Sequence, residues 1–268
     1  MPAYNAERTL ERTVADVPKN CVDEIILVDD ASRDRTVEIA RRLGLHVVLH
    51  ARNRGYGGNQ KTCYRTALER GADVVIMVHP DHQYDPTVIP DLLAALSEEH
   101  DAAFGSRMLG GRPIQGGMPK WKYLGNILLT AVKNATFLIY LTEYHSGFRA
   151  YTRRYLESVN LEANSDGFVF DTEIIAQGIA KGLHICEIPI ETRYFDEASQ
   201  IAFGPSVRYG LAILKTMLLY KLHLWGIWSS KIFRAADRRV PARASQASSS
   251  SKASSDAKLE ARNSKLET

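Results

Sequence analysis

The 268-residue sequence predicts an α/β fold, a mostly parallel sheet flanked by helices. Three observations predict it. From residue 1 to about 105, short β-branched apolar runs alternate with segments of helical apolar period, the pattern of strands joined by crossover helices. Two of these runs end on acidic clusters, Val28-Asp29-Asp30-Ala31-Ser32-Arg33-Asp34 and His79-Pro80-Asp81-His82-Gln83, and open α/β sheets place ligands at the carboxyl ends of their strands. A content of 45% hydrophobic and 24% charged residues is that of a globular chain with one sizeable core and an appendage.

Pro2-Ala3-Tyr4-Asn5 reads as a loop before a helix over 7–17. An α/β domain calls for a strand ahead of that loop. None is visible, so the chain is expected to start inside its fold, its first strand missing through truncation or a misplaced start codon. Strands follow at 24–28, 46–50, 74–78 and 102–104. Helices follow at 35–43, 58–69 and 87–99, the last opened by Pro86 and Pro90, where proline is tolerated. Residues 110–117 are a glycine-rich loop. Residues 121–141 form a long apolar helical stretch, 146–151 a further strand and 168–180 a helix. Residues 185–192, interrupted by Pro189, read as an edge strand or hairpin.

Residues 206–233 are helical and rich in Leu, Ile, Tyr and Trp. Their Arg208, Lys215, Lys221, His223 and Lys231 argue against a simple spanning helix, which needs about 20 mostly uncharged residues. Basic side chains with Trp225 and Trp228 fit a helix lying on a membrane surface; a hairpin packed on the domain or used for oligomerisation is the alternative. Residues 234–268 carry almost no large apolar side chains and are expected to be a disordered tail. The expected organisation is thus a domain over 1–205, an amphipathic segment over 206–233 and the tail. A net charge of +3 gives no argument for nucleic acid. Cys21, Cys63 and Cys186 are scattered, without metal-ligand spacing, and suit a reduced cytosolic compartment. The first five residues lack the basic and then apolar start of a signal peptide.

Carboxylates at buried strand ends are costly unless paired. A nucleotide base and ribose, and a divalent metal carrying a diphosphate, would pair them, which suggests a nucleotide-sugar site. Asp29 and Asp30 would accept hydrogen bonds from base and ribose; alternatively Asp30, Ser32 or Asp34 caps the next helix. Asp81 and Gln83 fall on one face and offer oxygen ligands suited to Mg²⁺ or Mn²⁺, which would neutralise a departing diphosphate. His79 and His82 read equally as loop histidines, and no third nitrogen or sulfur ligand supports zinc. Asn53, Gly55, Gly57 and Lys61 lie in Arg52-Asn53-Arg54-Gly55-Tyr56-Gly57-Gly58-Asn59-Gln60-Lys61, where a helix N-terminus could receive phosphate. Arg107, Arg149 and Arg193 are cations for phosphate or partners in salt bridges. Asp166, Asp171 and Glu173 are helix caps or acceptor-orienting groups.

Together Pro2-Ala3-Tyr4-Asn5, the Val28–Asp34 cluster, Asn53-Arg54-Gly55-Tyr56-Gly57-Gly58, Asp81-His82-Gln83, Gly105-Ser106-Arg107 and Ser146-Gly147-Phe148-Arg149-Ala150-Tyr151 resemble the inverting family 2 glycosyltransferases of GT-A fold. The last segment is especially similar to the dolichol-phosphate mannosyltransferase branch. The resemblance implies transfer of a hexose from a UDP- or GDP-linked sugar to a polyprenyl phosphate by a peripheral enzyme at the cytoplasmic face of a membrane. It implies that Pro2, Ala3, Tyr4, Asn5, Asp29 and Asp30 hold the nucleoside and Asp81 and Gln83 the metal. Arg107, Ser146 and Arg149 would lie near the transferred sugar or the acceptor phosphate.

The sequence departs from the family pattern at His79, which replaces the first acidic residue of the metal motif. It also lacks a Glu-Asp pair between Arg107 and Arg149, leaving Glu143 and His145 as the nearest candidates for a base. An ionised phosphate needs no deprotonation whereas a sugar hydroxyl does, so the missing base favours the phosphate acceptor. The alternatives are a transferase acting on a saccharide hydroxyl with His145 or Asp171 as base, and a non-catalytic member with a damaged site.

Overall fold

The computed structural model describes residues 1–109, 113–193, 203–228 and 230–234, with backbone alone at 203–206. Residues 110–112 of the glycine loop and 235–268 of the expected tail lie outside the described residues. The described residues fall within one compact unit. The chain runs β1 (Pro2–Ala3), α1 (Leu10–Ala15), β2 (Ile26–Asp29), α2 (Thr36–Arg42), β3 (His46–Leu49), α3 (Gly55–Glu69), β4 (Val74–Met77), α4 (Ile89–Ala95) and β5 (Ala102–Ser106). It continues through α5 (Lys120–Phe137), β6 (Arg149–Thr152), α6 (Arg153–Ser158), α7 (Phe170–Ala180), β7 (Ile185–Pro189) and α8 (Phe203–Leu224).

The strands form a parallel sheet ordered β1-β2-β3 and a mixed sheet ordered β4-β6-β5-β7. Of the strand expected to be missing, the structure holds two residues, Pro2 and Ala3, and this β1 pairs Ala3 with Asp29 of β2. The Val28 N–H donates to the Met1 carbonyl and the Asp30 N–H to the Ala3 carbonyl, both at 2.9 Å. Two residues bounded by Pro2 are too short for a periodicity to register. The parallel expectation holds for β5 with β7 but not for β6, which runs antiparallel to β4 and β5 and sets Arg149 opposite both Met77 and Phe104. An apolar run does not encode its own direction.

Side chains alternate across the strands, and both faces are covered. Leu27, Val78, Ala103 and Ala150 point into one core with Leu10, Ile39 and Leu92 from α1, α2 and α4. Val28, Met77, Phe104 and Tyr151 point into the other, with Tyr64, Phe137, Ile174 and Ile213 from α3, α5, α7 and α8. Helix α1 starts later than expected because Glu7 is used otherwise: its N–H donates to Asp34 at 3.0 Å and its carboxylate accepts the Arg35 N–H at 3.1 Å.

Helix α5 is amphipathic in the reverse sense. Its buried face carries Asn126, Thr130, Lys133 and Phe137, while Trp121, Leu124, Ile127 and Leu128 are exposed. Helix α8 packs on α7 and α5 through Ile213, Met217 and Tyr220 and exposes Val207, Leu211, Leu214 and Leu218, followed by Trp225, Ile227 and Trp228. No helix among the described residues is long and apolar enough to cross a membrane.

Candidate active site

The end of β2 builds one side of the site. Asp29 and Asp30 are both 3% exposed but differ in their use. Asp29 Oδ2 accepts the Ser32 N–H at 3.0 Å, while its Oδ1 is enclosed with no partner, an acceptor that calls for a donor. Asp30 is committed inside the protein: Oδ1 meets His50 Nδ1 at 2.7 Å and the Arg54 N–H at 2.8 Å, and Oδ2 accepts the Gly55 N–H at 3.0 Å. Its carboxylate therefore caps the start of α3 rather than that of α2, where one of the expected caps lay. The cap nearer α2 is Asp34, whose Oδ1 accepts the Thr36 N–H at 3.0 Å.

Facing Asp29, Asn5 adopts a left-handed φ of 52°. Its N–H donates to Ser32 Oγ at 2.8 Å and its Oδ1 accepts the Arg33 N–H at 2.9 Å. A cleft of about 350 Å³ lined by Asn5, Glu7, Arg8, Thr9, Arg33 and Asp34 opens beside this clasp. Pro2 and Ala3 lie within β1, and Tyr4 is exposed.

The glycine segment does not present a vacant phosphate cradle. The Gly55 N–H is shared between Asp30 and Asn53 Oδ1, and the Gly57 N–H donates to the Asp166 carbonyl at 2.8 Å. Lys61 is buried and donates to the Asn164 carbonyl and to Asp166 Oδ1. Of the groups expected at a phosphate, the Gly57 N–H and Lys61 Nζ tie α3 to the loop ahead of α7, while the Gly55 N–H joins Asn53 Oδ1 and Asp30. Gly57 is required by that closeness, since a Cβ there would lie 2.8 Å from Phe170 Cβ and 2.9 Å from the Gly167 carbonyl. Gly57→Ala is expected to destabilise the fold by about 1–3 kcal/mol, measured by urea unfolding; unchanged stability would contradict this packing.

After β4, Asp81 Oδ1 accepts the Gln83 N–H at 3.1 Å, and no hydrogen bond to Asp81 Oδ2 occurs among the described residues. A carboxylate oxygen with the Gln83 amide fits a hard cation whose other ligands come from a diphosphate and water. No three His, Cys, Asp or Glu side chains converge among the described residues. His82 bonds Asp16 at 2.8 Å, and Arg193 bonds Asp85 at 2.7 Å, so both are structural. His79 stacks on Tyr56 with 5.6 Å between ring centres. It abuts Gly147, where a Cβ would lie 2.7 Å from Nε2. Burial lowers the His79 pKa against the opposing pull of Asp81 and Asp171.

Arg149 and Asp171 form a buried ion pair at 3.1 Å. Asp171 also accepts from the Tyr56 hydroxyl at 2.8 Å and Gln60 Nε2 at 3.3 Å, which leaves it poorly placed as a base. Arg149 lies over the Phe104 ring and donates to the Tyr144 carbonyl. Arg107 is gripped by Glu143 through its backbone N–H at 2.8 Å, its Nε and its Nη2. Asn126 adds a fourth donor to Glu143 at 2.7 Å. Glu143 is thus the holder of Arg107 rather than a base. Glu187, whose pKa burial raises, supports that grip by accepting the Thr142 and Glu143 N–H groups. Ser146 Oγ accepts the Phe148 N–H at 3.2 Å and shapes the turn.

His145 lies among these cations. Burial, and then Lys133, Arg107 and Arg149, push its pKa well below the usual imidazole value. A neutral imidazole in a positive field is a poor proton acceptor near pH 7. The unfolded chain binds a proton on this histidine below about pH 6.5, while the folded form does not until lower pH. Stability is therefore expected to fall as pH drops from 7.5 to 5.5. Melting curves of the wild type and His145→Gln check this: the variant should lose less, and equal losses would contradict it.

The structure thus brings Arg107, His145, Arg149, Asp171, His79 and Asp81 into one electrostatic neighbourhood and diverts Asp30 and the α3 glycines elsewhere. Lys133, Thr172 and Tyr209 were not singled out from sequence. The signal for Lys133 was available in the helical spacing of Asn126, Thr130 and Lys133 on an otherwise apolar stretch.

The family model for glycosyl transferase family 2 matches residues 1–159. The chain is 30% identical over 238 residues to polyprenol monophosphomannose synthase of Mycolicibacterium smegmatis, covering 85% of each. It is 27% identical over 243 residues to UDP-N-acetylglucosamine--dolichyl-phosphate N-acetylglucosaminyltransferase of Methanococcus voltae, covering 83% of this chain and 94% of the relative. Its fold matches glucosyl-3-phosphoglycerate synthase of Mycobacterium tuberculosis, solved with Mn²⁺, UDP and phosphoglyceric acid. That match has a TM-score of 0.62 at 20% identity and covers 85% of this chain and 78% of the other. The fold is therefore GT-A, and because the family model spans more than half of the sequence, the chain belongs to glycosyl transferase family 2 and is a glycosyltransferase.

Proposed function

We propose that the protein transfers a hexose from a nucleotide-diphosphate sugar to a polyprenyl phosphate at a membrane surface, inverting the anomeric centre. The observation that carries this reading is the reversed amphipathicity of α5: its polar face lines the site while its apolar face, with that of α8, is exposed. A substrate with a charged head and an apolar tail suits such a helix. The names of the two relatives, one a dolichyl-phosphate and one a polyprenol-phosphate enzyme, support the same substrate class.

In this reading Asn5 and Asp29 hold the nucleoside, with the enclosed Asp29 Oδ1 accepting from base or ribose. Asp81 and Gln83 hold Mg²⁺ or Mn²⁺, which would offset the charge of the departing diphosphate. Arg107, fixed by Glu143, and Arg149, fixed by Asp171, supply a preorganised positive field for acceptor phosphate and leaving group. The acceptor is already ionised at neutral pH, so a phosphate oxygen attacks the anomeric carbon without a general base. The free thiols of Cys21, Cys63 and Cys186 suit the cytoplasmic side of the membrane, and a separate amphipathic segment over 206–233 is part of the proposal.

Exposed apolar patches rimmed by charge mark membrane contacts, and Arg208 and Lys215 flank this one. Leu124→Glu with Leu128→Glu is expected to weaken sedimentation with anionic phospholipid vesicles by about tenfold or more, given ~1.5–3 kcal/mol for each buried leucine, at unchanged melting temperature. Unaltered sedimentation would contradict the surface assignment. The reaction itself is tested by incubating the protein with labelled UDP- and GDP-sugars, Mn²⁺ and a polyprenyl phosphate. Label is expected in the organic phase as a phosphate-linked glycolipid. Label found only in water-soluble glycosides would overturn the proposal in favour of a saccharide hydroxyl acceptor.

A further inference from the structure

We propose that Arg193, just past β7, is a positioning residue for the metal loop: it clamps the left-handed turn between Asp81 and Gln83 and so sets the affinity of that pair for a divalent cation. The affinity role rests on the metal assignment proposed above; the clamp on the loop does not.

Asp81 and Gln83 flank His82, whose backbone is left-handed with a φ of 57°. A residue with a β-carbon is strained there and keeps that conformation only when its surroundings hold it. Relaxation of His82 would turn Gln83 relative to Asp81, and the two side chains would no longer converge on one ion.

Arg193 meets this loop through both its backbone and its side chain. Its N–H donates to the Gln83 carbonyl at 2.9 Å. Its Nη1 lies 3.1 Å from His82 Nε2, and its Nη2 donates to Asp85 Oδ2 at 2.7 Å. The preceding Thr192 forms an antiparallel bridge with Tyr84. The end of α1 closes on the same loop from another side. Asp16 Oδ2 is 2.8 Å from His82 Nε2 and 3.7 Å from Arg193 Nη1, and the buried Thr13 hydroxyl donates to the Pro80 carbonyl at 3.3 Å.

The arrangement governs shape more than stability. The Arg193 side chain is 44% exposed, and exposed ion pairs add little to folding. A planar guanidinium with donors in a fixed fork nevertheless sets direction, which a lysine ammonium does not. Groups that orient metal ligands without touching the metal tune its affinity in this way. Asp85 offers an independent handle. Its Oδ1 accepts the Thr87 N–H at 3.0 Å and the Thr87 hydroxyl at 2.7 Å, so Asp85→Asn can keep that cap while releasing Arg193 Nη2.

Titration of the full chain with Mn²⁺ in the presence of UDP or GDP, with the free ion read by electron paramagnetic resonance, tests the proposal. Arg193→Met is expected to weaken Mn²⁺ binding by about 10- to 100-fold, with binding of nucleotide alone and the urea midpoint nearly unchanged. Turnover should fall at limiting Mn²⁺ and return at saturating Mn²⁺, a change in the KM for the metal rather than in kcat. Asp85→Asn should weaken Mn²⁺ binding in the same direction, and adding it to Arg193→Met should weaken it no further. Equal Mn²⁺ affinity in the wild type and Arg193→Met would overturn the proposal, as would a loss of turnover that saturating Mn²⁺ does not restore. A wild type that binds nucleotide but no Mn²⁺ would sink the metal assignment and the affinity role with it. Hydrogen exchange then decides the clamp without metal. The Gln83 amide, which donates to Asp81, should lose protection in Arg193→Met, and unchanged protection would overturn the clamp.

Discussion

Arg149→Met is expected to destabilise the protein by about 3–5 kcal/mol, the cost of stripping one partner from a buried ion pair. Arg149 is 2% exposed and Asp171 7%. Without the guanidinium at 3.1 Å, the Asp171 carboxylate would rely on Tyr56 and Gln60 alone in surroundings that penalise an unpaired charge. The change also breaks the donation to the Tyr144 carbonyl and the stacking over Phe104. Urea unfolding of Arg149→Met, Asp171→Leu and the double variant measures this. The double variant should recover much of the loss, because an apolar pair can replace a buried ion pair at little cost. A single variant as stable as the wild type would show that the pair carries no structural weight.

Asp81→Asn is expected to lower turnover by at least about 100-fold with little change in stability. The asparagine oxygen can still accept the Gln83 N–H that closes the turn, so the loop keeps its shape while the charge toward a cation is lost. In the wild type, UDP or GDP at ~100 times its dissociation constant should add ~2.7 kcal/mol of stability, and the shift should depend on Mn²⁺. In Asp81→Asn that dependence should vanish. A variant that keeps both turnover and the Mn²⁺ effect would remove Asp81 from the metal site.

The strands were legible because buried apolar runs bounded by polar turns are local. Ile26–Asp29, His46–Leu49 and Val74–Met77 lie where the sequence puts them. What escaped was decided at long range. The glycines of α3 carry a phosphate-loop signature, yet their N–H groups are taken by Asp30 and Asp166, the latter more than a hundred residues away. Glu143 reads as a candidate base in isolation and becomes the holder of Arg107 only when α5 and the loop before β6 fold together. Helix α6 was missed because six residues offer few apolar positions, although Thr152, whose hydroxyl accepts the Tyr155 N–H at 3.2 Å, was a readable cap. The acidic strand ends, by contrast, are local features, and at one of them Asp29 keeps an enclosed Oδ1 with no partner.

The measurement that bears most directly on the central claim is a side-by-side transfer assay with a polyprenyl phosphate and the unphosphorylated polyprenol of equal length, using the donor nucleotide found by thermal shift. The fixed cations Arg107 and Arg149, and the engagement of the nearby carboxylates Glu143 and Asp171 by them, predict glycolipid from the phosphate and none from the alcohol. Comparable transfer to the alcohol would mean that a general base operates in this site and would contradict the account.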